Sequence, residues 1–239
     1  MKKGTLYCVG LGPGDPELMT LKAWHTLQRC SILAIPQDKL GRRTAQTILA
    51  QAMENEGSFD WDDKTVVPIT FPMTRDKEML AQAHAKAAEQ LAPFLEDGRD
   101  VALVTLGCPT VYASCLYVEQ LLKKLGYATA IVPGVTSFSA AAARLDQSLC
   151  EKDEPLIIIP AGRDDLEELL RVPGNKVLMK VPRDLDALKE KLARQGLLET
   201  SSLVERCGLS GERVYPYLAD VQETGYFSVI ISEKQEEET

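Results

Sequence analysis

Short runs of apolar and β-branched residues alternate along the chain with longer segments that carry apolar residues at helical spacing. Glycine or proline bounds most of the short runs, so the short runs are predicted as strands and the longer segments as helices. The predicted strands are Thr5–Val9, Ile32–Ile35, Val101–Leu106, Thr129–Val132, Leu156–Ile159, Val177–Val181, Ser202–Val204 and Phe227–Ile231. This alternation is typical of an α/β protein.

The helices are indicated by apolar spacing and by residues that favour helix ends. Thr20 is a suitable N-cap for the first helix. Apolar residues recur at every fourth position through Met79–Leu91, and Pro93 together with Asp97-Gly98 is predicted to end that helix. A further helix is predicted within Asp184–Gly196, opened by the aspartate and stopped by the glycine.

The chain is predicted to form two α/β domains, 1–125 and 126–239. The first part carries mostly parallel βα units, and the boundary is placed near Gly126, after the helix that follows Tyr112. The second part ends in a strand that follows a turn-rich stretch, so a mixed sheet is expected there. Its acidic end, with glutamates at 233, 236, 237 and 238, is expected to be a solvated tail.

Composition narrows the class of protein. The 239 residues are 45% hydrophobic and 26% charged, which is enough to bury a core without disulfide or metal support. A net charge of -8 without a basic stripe argues against nucleic acid as a partner. Because we find neither a signal-peptide pattern nor a bilayer-spanning apolar run, we expect a cytoplasmic protein with reduced thiols.

The cysteines and histidines do not follow a metal-binding pattern. The six cysteines, at positions 8, 30, 108, 115, 150 and 207, include no CxxC pair, and His25 and His84 lie far apart in sequence. We therefore predict neither a metal centre nor a disulfide framework.

Three strand exits are rich in glycine and proline, namely Val9–Pro16, Thr105–Tyr112 and Pro133–Phe138. The carboxyl ends of parallel strands meet at one edge of a sheet, so these loops form one candidate ligand site. In the first loop Pro13 lacks an N–H and Asp15 would repel a phosphate, so a nucleoside with a positive or zwitterionic remainder suits this loop better. A tight structural turn is the alternative interpretation of that loop.

These three segments, in this order and spacing, resemble the tetrapyrrole methylases, which methylate corrin and siroheme precursors in cobalamin and porphyrin biosynthesis. The resemblance runs from about Gly4 to Ser232. Gly12–Ala23 is similar to the N-terminal signature of that family, and Pro133–Ala143 resembles the branch that methylates C-20 of precorrin-2.

The resemblance implies two α/β domains with S-adenosylmethionine in the cleft between them, a tetrapyrrole acceptor and a homodimer. The cofactor contacts that it implies are Pro13, Leu106, Gly107, Cys108, Val111, Thr136, Ser137, Met179 and Cys207. Some of these residues also have a structural interpretation, because Met179 could be a core residue and Thr136 and Ser137 could cap the following helix.

Cys108 departs from the family pattern, which commonly has an aspartate at this position of the second loop. A thiol replaces a carboxylate only if its pKa is strongly lowered. Either the aspartate is dispensable in this branch, with backbone atoms making the contact, or activity is reduced. Cys108 is interpreted either as a small buried residue or as a reactive thiol.

Asp15 and Tyr112 are the candidate catalytic residues. In this hypothesis Asp15 fixes the loop or takes the proton that leaves after methyl transfer, and Tyr112 bounds the acceptor pocket. The alternatives are that Asp15 caps the following helix and that Tyr112 packs behind the second loop. For the polycarboxylate acceptor, the candidate substrate-binding residues are Arg42 and Arg43, with Lys39 nearby, and Lys180 and Arg183. Either basic cluster could instead be an ordinary solvated face.

The resemblance implies an S-adenosylmethionine-dependent methyltransferase acting on C-20 of precorrin-2 or cobalt-factor II, with S-adenosylhomocysteine as product. The alternatives are another precorrin carbon, a macromolecular acceptor, or a cofactor-binding protein without activity. The acidic net charge argues against RNA as the acceptor, and Cys108 gives some weight to the inactive alternative.

Overall fold

A computed structural model describes residues 2–57 and 61–233, so most of the predicted acidic tail lies outside the described residues. The chain divides into two units, Met1–Thr136 and Ser137–Thr239. Each unit is built around a five-stranded sheet within the described residues. The predicted α/β class with two domains is therefore confirmed at the level of architecture.

The first unit has a fully parallel sheet of strand order β3-β2-β4-β1-β5. Its strands are β1 (Thr5–Gly10), β2 (Ile32–Gln37), β3 (Thr65–Thr70), β4 (Val101–Thr105) and β5 (Ala128–Val132). Its helices are α1 (Leu21–Arg29), α2 (Thr44–Glu56), α3 (Lys77–Glu96) and α4 (Cys115–Lys124).

Both faces of this first sheet are covered. Along β4 the side chains alternate, so that Leu103 packs into one apolar cluster with Leu91 of α3, and Val104 packs into the other with Leu27 of α1. A parallel sheet buried on both faces has strands that are largely apolar, and β4 is apolar and buried from Val101 to Val104. The place that remains for a ligand is therefore at the carboxyl ends of the strands.

The ends of α1 are held by side chains. Thr20 Oγ1 accepts the Ala23 N–H at 3.1 Å, which confirms the predicted N-cap. At the other end Lys64 Nζ donates to the carbonyl oxygens of Leu27, Gln28 and Cys30 at 3.2, 2.6 and 2.9 Å. The ammonium group therefore lies at the negative end of the helix dipole.

The prediction that Pro93 helps to end α3 is wrong. Pro93 lies inside α3, which continues to Glu96. Proline has no backbone N–H, so a helix that contains it lacks one hydrogen bond. A long helix tolerates that loss in its last turn. The helix ends where Gly98 takes a φ of +80°, with its N–H donating to Leu95 O at 3.1 Å, so the Asp97-Gly98 part of the prediction is confirmed.

The second unit has a mixed sheet, as predicted. Its strand order is β6-β7-β10-β8-β9, in which only the β6–β7 pair is parallel among the described pairs. The strands are β6 (Leu156–Pro160), β7 (Asn175–Met179), β8 (Ser201–Glu205), β9 (Arg213–Tyr215) and β10 (Ser228–Ser232). The helices are α5 (Ser137–Arg144), α6 (Leu166–Arg171) and α7 (Asp186–Arg194). Asp184 accepts the Asp186 N–H at 3.0 Å where α7 begins.

Three features differ from the sequence prediction. The boundary was placed near Gly126, whereas β5 pairs with β1 in the first sheet and the first unit extends to Thr136. The strands β3 and β9 were not predicted. Both are edge strands: β3 carries Pro68, and β9 is only Arg213–Tyr215 and mostly exposed, so neither has the apolar pattern of a central strand.

Within residues 2–57 and 61–233, no helix has both the length and the apolar character that crossing a membrane requires. The same residues contain no group of three or more His, Cys, Asp or Glu side chains placed to hold a metal ion. The six cysteines are free thiols, and five of them are buried.

Candidate functional site

The exits of three adjacent strands, β4, β1 and β5, lie together in the first unit. Gly12, after β1, and Gly107, after β4, exchange two backbone hydrogen bonds: Gly107 N–H donates to Gly12 O at 2.6 Å and Gly12 N–H donates to Gly107 O at 3.3 Å. Leu11 N–H donates to Thr105 O at 2.9 Å. The first and second loops are therefore joined along their backbones.

The third loop approaches the other two at Gly134. A Cβ atom on Gly134 would lie 2.3 Å from Gly107 O, and a Cβ atom on Gly10 would lie 2.5 Å from the same oxygen and 2.7 Å from Gly134 N. These distances are too short for any side chain, so glycine is required by the contact between the loops. The predicted convergence of the three loops is confirmed.

The first loop offers few donors to an anion. Pro13 has no N–H, and the Gly12 N–H is already donated to Gly107 O. The carboxylate of Asp15 accepts the Glu17 N–H at 2.9 Å and precedes the 3-10 helix Pro16–Leu18. A phosphate group is therefore poorly suited to this loop, as the sequence indicated.

Asp15 and Tyr112, the predicted catalytic residues, both lie in these loops. The hydrogen bond from Glu17 N–H agrees with the capping alternative for Asp15, and its carboxylate remains partly accessible. Tyr112 follows Val111 in the second loop, where it has a left-handed φ of 50° and a side chain that is 45% exposed. The catalytic roles of both residues remain predictions.

Polar groups of the second and third loops lie around the sulfur of Cys108. Its side chain is buried, and Sγ lies 3.0 Å from Thr110 Oγ1, while the backbone N–H groups of Thr110 and Gly134 also face the sulfur. Burial acts to raise the pKa of the thiol, but these hydrogen bonds outweigh it and hold the pKa below its ordinary value. Toward the two backbone N–H groups the sulfur is thus placed as a hydrogen-bond acceptor, the same role that a carboxylate would have.

Two contacts of this network lay outside the sequence prediction. Thr110 and Gly134 were included in the predicted loops but had no assigned role. A hydroxyl two residues after a cysteine within a turn is the sequence pattern that could have indicated the Thr110 contact. No local pattern indicates the contact with Gly134, because that residue comes from a different strand exit.

The other predicted cofactor residues lie as follows. Leu106 and Val111 are half-buried in the second loop, and Thr136 is half-buried at the end of the first unit. Ser137 is half-buried and is the first residue of α5. Contact of these residues with a cofactor remains a prediction.

In the second unit, Met179 and Cys207 lie at the ends of β7 and β8, the two strands that flank β10. Met179 is the last residue of β7 and half-buried, and its carbonyl oxygen accepts the Ala161 N–H at 2.7 Å. Cys207 is buried in the turn after β8. Since β7 and β8 are both antiparallel to β10, they run in the same direction and end at the same edge of the sheet.

The predicted substrate-binding arginines of the first unit have different partners. Arg42 Nε lies 2.6 Å from Asp38 Oδ2. Hydrogen bonds from the Arg42 backbone N–H and from its guanidinium lower the pKa of Asp38. Arg43 instead donates to the amide oxygens of Gln37 and Gln46, each at 3.2 Å. A shallow depression of about 470 Å³ is lined by Gly41, Arg43, Gln46, Thr47 and Ala50.

The other predicted basic pair, Lys180 and Arg183, belongs to the second unit. Both side chains are exposed, and Lys180 has a left-handed φ of 54° directly after β7. The Arg183 carbonyl oxygen accepts the Thr224 N–H at 3.4 Å. Substrate binding by the two basic pairs remains a prediction.

A family model described as Tetrapyrrole (Corrin/Porphyrin) Methylases matches residues 5–221. The chain is 36% identical over 236 residues to the cobalamin biosynthesis protein CobIJ of Mycobacterium tuberculosis, covering 95% of this chain and 45% of that protein. The chain thus spans about half the length of that relative. It is also 36% identical over 189 residues to the probable cobalt-precorrin-2 C(20)-methyltransferase of Methanocaldococcus jannaschii, covering 79% of this chain and 75% of that protein.

A solved structure shares the fold. The crystal structure of uroporphyrin-III C-methyltransferase from Thermus thermophilus, complexed with S-adenosylhomocysteine, matches with a TM-score of 0.66 at 24% identity. The match covers 97% of this chain and 98% of that one.

Proposed function

This chain belongs to the tetrapyrrole methylase family, and we propose that it is an S-adenosylmethionine-dependent C-methyltransferase acting on C-20 of precorrin-2 or cobalt-factor II in cobalamin biosynthesis. The observation that carries the proposal is the convergence of the three glycine loops, because the residues that resemble the family pattern lie in these loops. The relative named for C-20 methylation supports the choice of acceptor carbon.

The first unit fits a cofactor of this chemistry. Gly10 and Gly134 let the three loops meet along their backbones, and the first loop is unsuited to phosphate. The buried sulfur of Cys108 is placed as a hydrogen-bond acceptor. When bound, S-adenosylmethionine would supply a methyl group on a positively charged sulfur and leave as S-adenosylhomocysteine. In the second unit, we assign cofactor contacts to Ser137, Met179 and Cys207.

Methyl transfer from a sulfonium to carbon demands little acid–base chemistry from the protein. Positive charge decreases toward the transition state, so the main tasks of the chain are to orient the acceptor and to exclude water. One proton must then leave the methylated carbon. We assign to the carboxylate of Asp15 the role of accepting that proton, directly or through water. The exposed Tyr112 is assigned to one wall of the acceptor pocket.

The acceptor carries several carboxylates and needs cationic partners. Arg43 is the stronger candidate in the first unit, since it lines the depression and its partners are neutral amides, whereas Arg42 is paired with the carboxylate of Asp38. Lys180 and Arg183 are the candidates in the second unit.

We further infer a cytoplasmic homodimer from the resemblance, and light scattering of the purified protein would measure its mass.

The test is an assay of purified protein with S-adenosylmethionine and precorrin-2, with and without cobalt. The expected result is a product with one added methyl group, located at C-20 by NMR. Methylation at another carbon would contradict the acceptor position. Cofactor binding with neither acceptor methylated would favour the alternatives of a macromolecular acceptor or an inactive cofactor-binding protein.

A further inference from the structure

The turn that follows β8, Arg206–Glu212, is tied to the distant helix α5. Arg144, the last residue of α5, donates from Nε to Glu212 Oε1 at 2.8 Å, and its Nη2 donates to the same oxygen. The side chain of Glu212 is only 16% exposed, whereas that of Arg144 is 59% exposed. A carboxylate that is mostly withdrawn from water and accepts two charged hydrogen bonds is held in one position.

The second oxygen of the same carboxylate holds the turn itself. Gly208 N–H donates to Glu212 Oε2 at 2.6 Å. Burial acts to raise the pKa of Glu212, but the hydrogen bonds from Arg144 and Gly208 outweigh it, so the pKa lies below its ordinary value. Glu212 thus stays ionised at neutral pH and links the backbone of the turn to α5.

This contact orients the peptide that follows Cys207. The peptide bond between Cys207 and Gly208 is trans, so its carbonyl group points away from its N–H. By accepting the N–H, Glu212 determines the direction of the Cys207 carbonyl group. The rest of the turn is held separately, since Arg206 Nε donates to Ser210 O at 2.8 Å and Arg206 N–H donates to Phe227 O at 2.7 Å.

We propose that Arg144 and Glu212 are positioning residues for cofactor binding, which hold the Cys207 peptide and α5 in one fixed arrangement. This inference rests on the proposed function, in which Cys207 and Ser137, the first residue of α5, contact the cofactor. Neither Arg144 nor Glu212 needs to touch the cofactor. Their effect is to prepare the backbone before binding, which lowers the entropy lost when the ligand binds.

The experiment measures the dissociation constant of S-adenosylhomocysteine by calorimetry for the intact protein and three variants. Glu212→Ala removes both contacts and should weaken binding about tenfold. Glu212→Gln keeps an acceptor for Gly208 N–H, and Arg144→Gln leaves the carboxylate in place, so each should weaken binding by about threefold. The KM of the tetrapyrrole acceptor should change by less than about twofold, because the pair acts on the cofactor.

A matched control comes from a second ion pair of the same unit. Arg194 Nε lies 2.9 Å from Glu167 Oε1, and this pair also joins two separate elements. Glu167→Ala should leave cofactor affinity unchanged, since the pair contacts neither α5 nor the turn after β8. Hydrogen exchange at the Gly208 amide gives a second readout: it should accelerate in Glu212→Ala and remain slow in Glu167→Ala.

The outcomes separate the two proposals. If the intact protein binds S-adenosylhomocysteine and Glu212→Ala binds it equally well, the positioning role is overturned while the proposed function stands. Equal losses in cofactor affinity and acceptor KM would also overturn the positioning role. If Glu212→Ala does not fold, the graded effects of Glu212→Gln and Arg144→Gln decide the question. If the intact protein does not bind S-adenosylhomocysteine, the proposed function fails, and the positioning role fails with it.

Discussion

Gly134 lies so close to Gly107 that a Cβ atom added to Gly134 would stand 2.3 Å from the Gly107 carbonyl oxygen. The contact joins loops that are far apart in sequence, and it involves backbone atoms, which cannot turn aside as a flexible side chain can.

Gly134→Ala should separate the second and third loops. We expect a loss of stability of about 1–3 kcal/mol, as for other overpacked sites, and a loss of S-adenosylhomocysteine affinity of at least about tenfold. Urea unfolding and calorimetry measure the two effects. The control is Gly126→Ala, where φ is +85° and no atom lies within 4 Å of the added Cβ. That change should cost only the strain of about 1 kcal/mol and leave affinity intact. Unchanged affinity in Gly134→Ala would contradict the role of the three loops.

Replacing Asp15 by asparagine separates its two possible roles. Asparagine caps a helix about as well as aspartate does, so the Glu17 N–H keeps an acceptor, but asparagine cannot take a proton. If Asp15 is the base, single-turnover methylation in Asp15→Asn should slow by at least about tenfold, with little change in the unfolding midpoint. An unchanged rate would remove Asp15 as the base and leave it as a cap.

The two neighbouring arginines should behave differently. Arg43→Gln should raise the KM of the acceptor by about fivefold or more, because a charged hydrogen bond to a carboxylate is lost. Arg42→Gln should change it by less than about twofold, since that guanidinium is already paired with Asp38. Steady-state kinetics with varied acceptor measures both, and cofactor affinity should be equal in the two variants. A larger effect from Arg42 would contradict the assignment.

His84 should make the protein less stable in mild acid. Its imidazole is buried, stacks on Tyr117 at 4.8 Å between ring centroids, and burial lowers its pKa. At pH values below 6.5, the ordinary pKa of histidine, the unfolded chain therefore binds a proton more readily than the folded protein. The free energy of unfolding consequently falls as the pH drops from 6.5 toward the pKa of the folded state. The contribution of His84 to the free energy of unfolding is fully present above pH 6.5.

Urea unfolding between about pH 7.5 and pH 5 measures this effect. His84→Phe keeps an aromatic ring against Tyr117 and removes the titration, so its unfolding midpoint should fall less steeply with acid than that of the original protein. The control is His25→Gln, a change at the other histidine, which is exposed. Identical slopes for His84→Phe and the original protein would show that His84 does not cause the loss.

Much of the fold could be predicted from local pattern. The eight predicted strands are present, with ends shifted by a few residues, because central strands such as β4 are apolar over most of their length and have glycine or proline nearby in sequence. The convergence of the glycine loops was predictable because the carboxyl ends of parallel strands all lie on one side of the sheet. Edge strands such as β3 lack this pattern, because one side of an edge strand needs no partner.

The sequence by itself therefore determined the α/β class, the two-domain organisation and the loops that carry the family pattern. Only the tertiary structure decided that β5 belongs to the first sheet, that Thr110 and Gly134 face the sulfur of Cys108, and that Arg144 meets Glu212 across 68 positions of sequence. Strands, helices and turns depend on interactions over a few residues, so the composition and spacing of the sequence indicate them. Contacts between distant segments depend on how the elements pack, and a single sequence records no local pattern for them.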